Sequence, residues 1–232
     1  VWHASDAFGQ VLTQLTSLQL SSNFFNRNPR LTGFACTTFI KLQNLELKGF
    51  EFRDADISIL NSFSELTSLS LRNCDWQFRE QPSLSGCRKL RSLSLANLSD
   101  RYWPEVPIVL CPSSYSELKS LTIGMLWPRA KWIGMITKLT GLEDLHLCFW
   151  ISHPLKREEI SKLDALSNLR SFGIAGFQTS IIQNLKTRIR KWSQLESLTL
   201  SFDQETELMR HKVNKIKRLF PHLKVSTPNR RS

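Results

Sequence analysis

A spacing of leucines that recurs along nearly the whole chain is the feature that most constrains its fold. In the stretch LTSLSLRNCDW, which begins at Leu66, leucines occupy the first, fourth and sixth positions of the template L-x-x-L-x-L. With Ile, Val or Phe allowed for Leu, nine copies align, and their first positions are 15, 42, 66, 90, 118, 142, 169, 195 and 220. Successive copies are therefore 24 to 28 residues apart. Such a narrow range of steps indicates one structural unit, repeated and stacked.

The alternation within each copy, as in SLSL, has the period of a short strand with one buried face. The remaining residues of the unit, roughly twenty, must return the chain so that the next strand can lie beside the last. One unit cannot bury its own leucines, so neighbouring units must share a core. We therefore predict an α/β leucine-rich repeat solenoid, a curved horseshoe of about nine repeats of 24–28 residues. A parallel sheet should line its concave side, with helices and loops on the convex side.

The repeats predict a single domain over residues 1–232, ending in a basic C-terminal cap over residues 204–232. No apolar run approaches the roughly eighteen residues that a membrane span needs, and no charged-then-apolar leader precedes the first repeat. The five cysteines are dispersed and never paired as C-x-x-C. Cys-rich caps, common on extracellular repeats of this class, are not visible. We therefore expect an intracellular protein, cytoplasmic or nuclear.

Three and five residues after the last strand leucine, the copies carry further apolar side chains. In the second and third copies these are Phe50, Phe52, Cys74 and Trp76. The chain has 14 Phe and 7 Trp but only 2 Tyr, so its aromatic side chains serve mainly as apolar filling. We predict that these positions point inward and that Trp76 belongs to the core.

The residues that flank the strand leucines should point outward, along the face that the strands line. Most are small and uncharged, and serine precedes the middle leucine in six of the eight full copies. Short hydroxyls offer few of the Trp, Tyr and Arg anchors that dominate binding energies. A partner should therefore contact the exceptions or the loops at the strand ends. The predicted partner-binding residues are Glu46, Lys48, Arg72, Asp144 and His146 on the strands, and Tyr102 and Trp103 in a proline-rich segment, where Trp103 could equally be buried.

Positive charge is concentrated toward the end of the chain. From Lys186 to Ser232 there are twelve Lys and Arg against four acidic residues, within a net charge of +11 for the whole chain. The stretch LMRHKVNKIKRLF predicts an amphipathic helix with Leu208, Val213, Ile216 and Phe220 on one face. Two interpretations stay open: a solvated cap on the last repeat, or a patch for an acidic partner or nucleic acid. The patch residues are Arg210, Lys212, Lys215, Lys217 and Arg218.

No motif for catalysis is recognisable. The five histidines have no partner at metal-ligand spacing, and there is no nucleophile elbow, phosphate loop or catalytic carboxylate motif. His146 and Cys148 share a strand face but lack a third group to orient them. We predict a protein-recognition module that is not an enzyme and holds neither a cofactor nor a metal.

Copies such as FSELTSLSLRNCDWQF and FIKLQNLELKGFEF resemble the intracellular repeats of F-box proteins, over roughly Leu12 to Val225. The resemblance implies a substrate-selecting repeat domain of a ubiquitin ligase adaptor, whose F-box would lie in a separate segment. Two other hypotheses compete with it. One is the sensor region of an intracellular nucleotide-binding immune receptor. The other is a basic structural subunit of a ribonucleoprotein or organellar complex.

Overall fold

Each copy of the leucine template forms a short strand in the computed structural model, which describes residues 13–22, 31, 39–76, 83–96, 114–125, 130–149, 157–175, 179–202 and 206–227. The strands are β1 Ser17–Ser21, β2 Asn44–Lys48, β3 Glu51–Phe52, β4 Ser68–Arg72, β5 Asp75–Trp76, β6 Ser92–Ala96, β7 Ser120–Met125, β8 Asp144–Phe149, β9 Ser171–Ala175, β10 Ser197–Ser201 and β11 Lys224–Ser226. The helices are α1 Asp54–Asn61, α2 Ala130–Ile136, α3 Arg157–Lys162, α4 Thr179–Ile189 and α5 Glu207–Leu219, and a 3₁₀ turn, Leu163–Ala165, follows α3.

Contacts within the chain divide it into two compact units, residues 1–118 and 119–232. In the first unit β1, β2, β4 and β6 pair in parallel in that order. In the second unit β7, β8, β9, β10 and β11 do the same. Template positions pair with template positions, as Leu45 with Leu69 and Leu145 with Phe172. With one parallel strand per copy and helices in the return segments, the chain has the predicted α/β leucine-rich repeat solenoid fold.

A repeated hydrogen-bond pattern sets the start of each strand. The Gln43 carbonyl oxygen accepts from two successive backbone amides of the next copy, Thr67 at 2.8 Å and Ser68 at 2.9 Å. The same double acceptance recurs at Thr16, Thr67, Lys119, Glu143 and Arg170. Because each copy is tied to the previous one at the same template position, the strands keep a common register.

The core consists of the inward template positions. Leu66, Leu69 and Leu71 are buried, as are their counterparts in the neighbouring copies. The predicted inward positions after the strands are confirmed for Phe50, Phe52 and Cys74, all buried. Trp76 pairs with Phe52 between β5 and β3, but its side chain lies outside the described part of the structure.

The return helices bury one stripe each, which is what amphipathic helices on a shared core require. In α4, Ile181, Leu185 and Ile189 are buried. In α5, Val213 and Ile216 are buried, and the cap residue Thr206 accepts a hydrogen bond from the Met209 amide at 3.3 Å.

The prediction for Leu208 was wrong, because its side chain is 55% exposed. Val213 is five positions further along the chain, and a helix turns by about 100° per residue. Leu208 therefore lies about 140° around α5 from Val213 and cannot share its buried stripe.

Candidate functional site

Three of the predicted partner-binding residues lie together on the strand-lined face of the first unit. Lys48 of β2 pairs in register with Arg72 of β4, and Glu46 pairs with Ser70. The Arg72 Nε lies 3.6 Å from Glu46 Oε1 and 3.2 Å from Ser70 Oγ. Their side chains stay available, since Arg72 is 55% and Glu46 32% exposed. We call Glu46, Lys48 and Arg72 the charged cluster.

A close backbone approach fixes the strand ends beside this cluster. Gly49 has a φ of 74°, and a Cβ there would lie 2.4 Å from the Ser22 carbonyl oxygen. The Gly49 amide donates to the Arg72 carbonyl at 3.0 Å, and the Ser22 amide donates to the Lys48 carbonyl at 2.8 Å. Only glycine suits both the left-handed backbone and the narrow gap. Backbone hydrogen bonds to neighbouring copies thus fix the chain at Lys48 and at Arg72.

In the second unit, β8 carries Asp144 and His146 on the face that the strands line. Asp144 stands between Ser120 and Ser171, and His146 between Thr122 and Gly173. A Cβ on Gly173 would lie 2.1 Å from His146 Nδ1, so the imidazole occupies the room that a side chain on β9 would take. Both residues are half-buried. His146 therefore packs on the sheet instead of projecting freely from it.

The predicted site residues thus fall into two groups, one in each unit. The structure brings the three members of the charged cluster together, and it places Asp144 and His146 on a single strand of the other unit. Tyr102 and Trp103 lie outside the described residues.

The residues of the predicted anionic-partner patch lie on α5. At about 100° per residue, Lys212 and Lys215 lie on one flank of the buried stripe, and Arg210 and Lys217 lie on the other flank. Arg218 lies between the two flanks, opposite the buried stripe. The patch stays a prediction, with its five cations spread around the side of the helix that faces away from Val213 and Ile216.

Sequence reasoning missed Lys186, which α4 brings to the edge of α5 that carries Lys212 and Lys215. Partial burial lowers the pKa of the Lys186 ammonium, and the positive charges of Lys215 and Lys212 lower it further. The repeat spacing could have revealed it, because Lys186 lies nine residues before the copy at Leu195 and Lys212 lies eight residues before the copy at Phe220. Equivalent positions of stacked repeats lie side by side.

Ion pairs that link successive copies were also missed. Glu143 Oε1 lies 2.9 Å from Lys119 Nζ, and Glu196 Oε1 lies 3.1 Å from Arg170 Nη1. All four residues directly follow the first template leucine. A hydrogen bond from Lys119 lowers the pKa of Glu143, as do the charges of Lys119 and Arg170. Because these pairs are exposed to solvent, each contributes little to stability.

The described thiols in the first unit are structural. Burial raises the pKa of Cys74 to about 11 and that of Cys87 to about 12. The Cys74 Sγ donates to the Arg72 carbonyl at 3.3 Å, and the Cys87 Sγ to the Leu60 carbonyl at 3.2 Å. Thiols in this state are poor nucleophiles at neutral pH.

Within the described ranges, no group of three or more His, Cys, Asp or Glu side chains is placed to hold a metal ion. None of the described helices combines the length and the apolar character that crossing a bilayer requires.

Comparison with known proteins gives a likeness in structure alone. No family model matches the chain, and no curated protein matches it. Among solved structures, it is similar to an internalin from Listeria monocytogenes, with a TM-score of 0.49 and 16% sequence identity. The match covers 99% of this chain and 64% of the internalin chain, so this chain spans less than two thirds of that structure.

Proposed function

We propose that the chain is a non-catalytic protein-recognition module whose partner binds to the strand-lined face of the first unit. The observation that carries this proposal is the charged cluster, in which an exposed arginine stands beside Glu46 and Lys48 on a sheet whose other outward side chains are mostly short. Arginine is one of the three residue types that dominate binding energies at interfaces. Its neighbours Ser68, Ser70 and Ser92 are short, so a partner can approach the sheet closely around it.

The geometry of Arg72 favours recognition of a partner carboxylate. The Arg72 Nε lies 3.6 Å from Glu46 Oε1, and a guanidinium has five N–H donors in a fixed fork, so it can bind more than one acceptor. Lys48 adds a second positive charge beside it. We expect a partner side chain such as Asp or Glu to bind between Lys48 and Arg72, with Glu46 keeping the guanidinium in place.

The finer proposal is a substrate-selecting repeat domain of an F-box-type ubiquitin ligase adaptor. It rests on the resemblance of the repeat copies to those of F-box proteins. In that role the partner would be a protein destined for ubiquitination, and the natural full-length polypeptide would also carry the segment that docks on the ligase scaffold.

The test compares Arg72→Ala with a matched control, Arg91→Ala. Arg91 is likewise exposed, at 68%, and lies 3.2 Å from Glu117, but it sits beside the strands and not on their face. Tagged proteins are recovered from cells of the natural source, and co-purifying proteins are quantified by mass spectrometry. Loss of an interfacial arginine should weaken recovery of the true partner by about tenfold or more, whereas Arg91→Ala should leave it unchanged.

Equal recovery with both variants would contradict the charged cluster as the binding site. The finer role is tested separately with the full-length polypeptide, which should co-purify with ubiquitin ligase scaffold subunits. A nucleotide-binding region in that polypeptide would instead favour the immune-receptor sensor. Recovery of nucleic acid that weakens steeply with salt would favour the ribonucleoprotein subunit, because phosphate contacts release counterions.

A further inference from the structure

Helix α5 carries two large apolar side chains that the core does not use. Leu208 is 55% exposed and Leu219 is 47% exposed. They lie at opposite ends of the helix, eleven residues apart, which corresponds to about 16 Å along its axis. An exposed leucine is common on protein surfaces, so the meaning of this pair depends on what lies between the two.

Lys212 and Lys215 lie between them on the same side of the helix. Leu208, Lys212, Lys215 and Leu219 follow the spacing i, i+4, i+7 and i+11, which places them on one line along a helix. This line is turned by about 100° from the buried stripe of Val213 and Ile216. We call these four residues the leucine–lysine stripe.

The two lysines of the stripe lie near the neighbouring helix α4, which contributes a third lysine. Helices α4 and α5 are in contact, and the charges of Lys215 and Lys212 help to lower the pKa of Lys186 on α4, after the larger effect of its partial burial. The Lys186 ammonium is therefore close enough to Lys215 and Lys212 to be repelled by their charges. A negative group bound among them would relieve this repulsion and would be favoured there.

The combination of leucines and lysines in the stripe favours one class of negatively charged partner over the others. Leucines contribute little to contacts with phosphate groups, which are made by Lys, Arg and hydrogen-bond donors. A bilayer surface favours a broad apolar face that enters it by about 5–10 Å, whereas these two half-exposed side chains are about 16 Å apart. An amphipathic protein segment can instead place apolar side chains at both ends and carboxylates in the middle.

We propose that the leucine–lysine stripe, with Lys186, is a docking surface for an acidic amphipathic helix of a partner protein. Apolar side chains of that helix pack on Leu208 and Leu219, and its Asp or Glu side chains pair with Lys212, Lys215 and Lys186. The surface belongs to the second unit and is independent of the charged cluster in the first.

The probe is a synthetic helical peptide as long as α5, with two leucines eleven residues apart and glutamates between them on the same side. Its binding to the purified chain is followed by fluorescence anisotropy. Two reference peptides carry serine for the leucines or glutamine for the glutamates. We expect the first peptide to bind, and each reference peptide to bind about tenfold more weakly.

The chain variants mirror the peptides. The double variant Leu208→Ser with Leu219→Ser, and the double variant Lys212→Glu with Lys215→Glu, should each weaken binding by about tenfold. The matched control is Arg210→Glu with Lys217→Glu, which makes the same charge change on the opposite flank of the same helix and should change binding less than about twofold. Ile40→Ser, an exposed apolar residue of the other unit, is the apolar control. Because all these side chains are on the surface, circular dichroism should show unchanged folding.

Several results would overturn the proposal. Failure of the acidic peptide to bind at about 1 mM, which corresponds to a binding free energy near −4 kcal/mol, would be one such result. The control charge reversal could weaken binding as much as the stripe reversal, which would indicate attraction by net charge alone. Binding of a short DNA oligonucleotide or of phosphatidylserine vesicles that exceeds peptide binding, and that the stripe variants abolish, would assign the surface to nucleic acid or membrane instead.

Discussion

At the scale of single residues, glycines on the strands mark places where another group uses the space of a missing side chain. The imidazole of His146 fills that space at Gly173, with Nδ1 at 2.1 Å and Cγ at 2.9 Å from the position of a Cβ. By contrast, a Cβ at Gly134 in α2 would meet nothing within 4 Å. The neighbouring imidazole therefore requires glycine at position 173, whereas no neighbouring atom requires glycine at position 134.

We expect Gly173→Ala to lower the free energy of unfolding by about 1–3 kcal/mol, because the methyl group and the imidazole cannot share one position. His146→Ala should remove most of this cost when it is combined with Gly173→Ala. Urea denaturation of the two single variants and the double variant measures the coupling. Gly134→Ala is the control and should stabilise the fold by about 0.5–1 kcal/mol. Strictly additive effects of Gly173→Ala and His146→Ala would show that the ring moves away at no cost.

At the scale of elements, charged and aromatic side chains tie each return segment to the next. Asp164 in the 3₁₀ turn after α3 pairs with Arg188 in the last turn of α4 and accepts from Lys191 Nζ at 2.7 Å. Beside them, Trp192 Nε1 donates to the Leu163 carbonyl at 3.2 Å, and its ring lies 5.0 Å from that of Phe172. These contacts join two neighbouring repeats in addition to the pairing of β9 with β10.

We expect Asp164→Ala to lower the free energy of unfolding by about 1–3 kcal/mol, because it leaves the guanidinium of Arg188 partly buried without its carboxylate. The side chains of Arg188 and Asp164 are only 14% and 21% exposed. Lys191→Ala is the control, and it should cost about 0–1 kcal/mol because its ammonium is half exposed. Urea denaturation of both variants provides the measurement. Equal losses of unfolding free energy in Asp164→Ala and Lys191→Ala would mean that burial does not strengthen the pair of Asp164 with Arg188.

At the scale of the whole molecule, the main feature is an excess of positive charge, with 31 Lys and Arg against 20 Asp and Glu. Ion pairs between successive copies, such as Lys89 with Glu65 at 2.7 Å and Lys119 with Glu143 at 2.9 Å, moderate the repulsion. Protonation of a paired carboxylate removes such a pair, and protonation of any carboxylate raises the net charge above +11. Protonation of the carboxylates should therefore be the main reason why the stability of the chain changes with pH below neutrality.

We expect the melting temperature to fall as the pH is lowered from neutral to about pH 3. The sign follows from Glu143, whose pKa is lowered in the folded state by Lys119 and Arg170. Its stabilising effect is present above the pKa of the unfolded chain and is lost as the pH falls through the lower, folded value. Added salt should restore part of the loss by screening repulsion.

Thermal denaturation followed by circular dichroism, at low and high salt, provides the measurement. Titration of the Glu143 carboxyl by NMR gives a local readout, and Lys119→Met should raise its midpoint. A melting temperature that is constant from pH 7 to about pH 3 would contradict the expectation.

The sequence by itself determined the repeat register, the strands and the inward positions. An alternation such as SLSL specifies one buried face locally, and its recurrence fixes which residues pair across copies, so the approach of Lys48 to Arg72 follows from their equivalent template positions. Burial of Phe50, Phe52 and Cys74 follows for the same reason.

Only the tertiary structure decided which outward side chains stay available. His146 lies over Gly173, Lys186 approaches Lys212 and Lys215, and Leu208 is exposed although Val213 and Ile216 of the same helix are buried. These outcomes depend on distances and angles between side chains of different elements. Periodicity assigns a residue to a face of its own strand or helix, but it does not specify what the neighbouring element brings to that face.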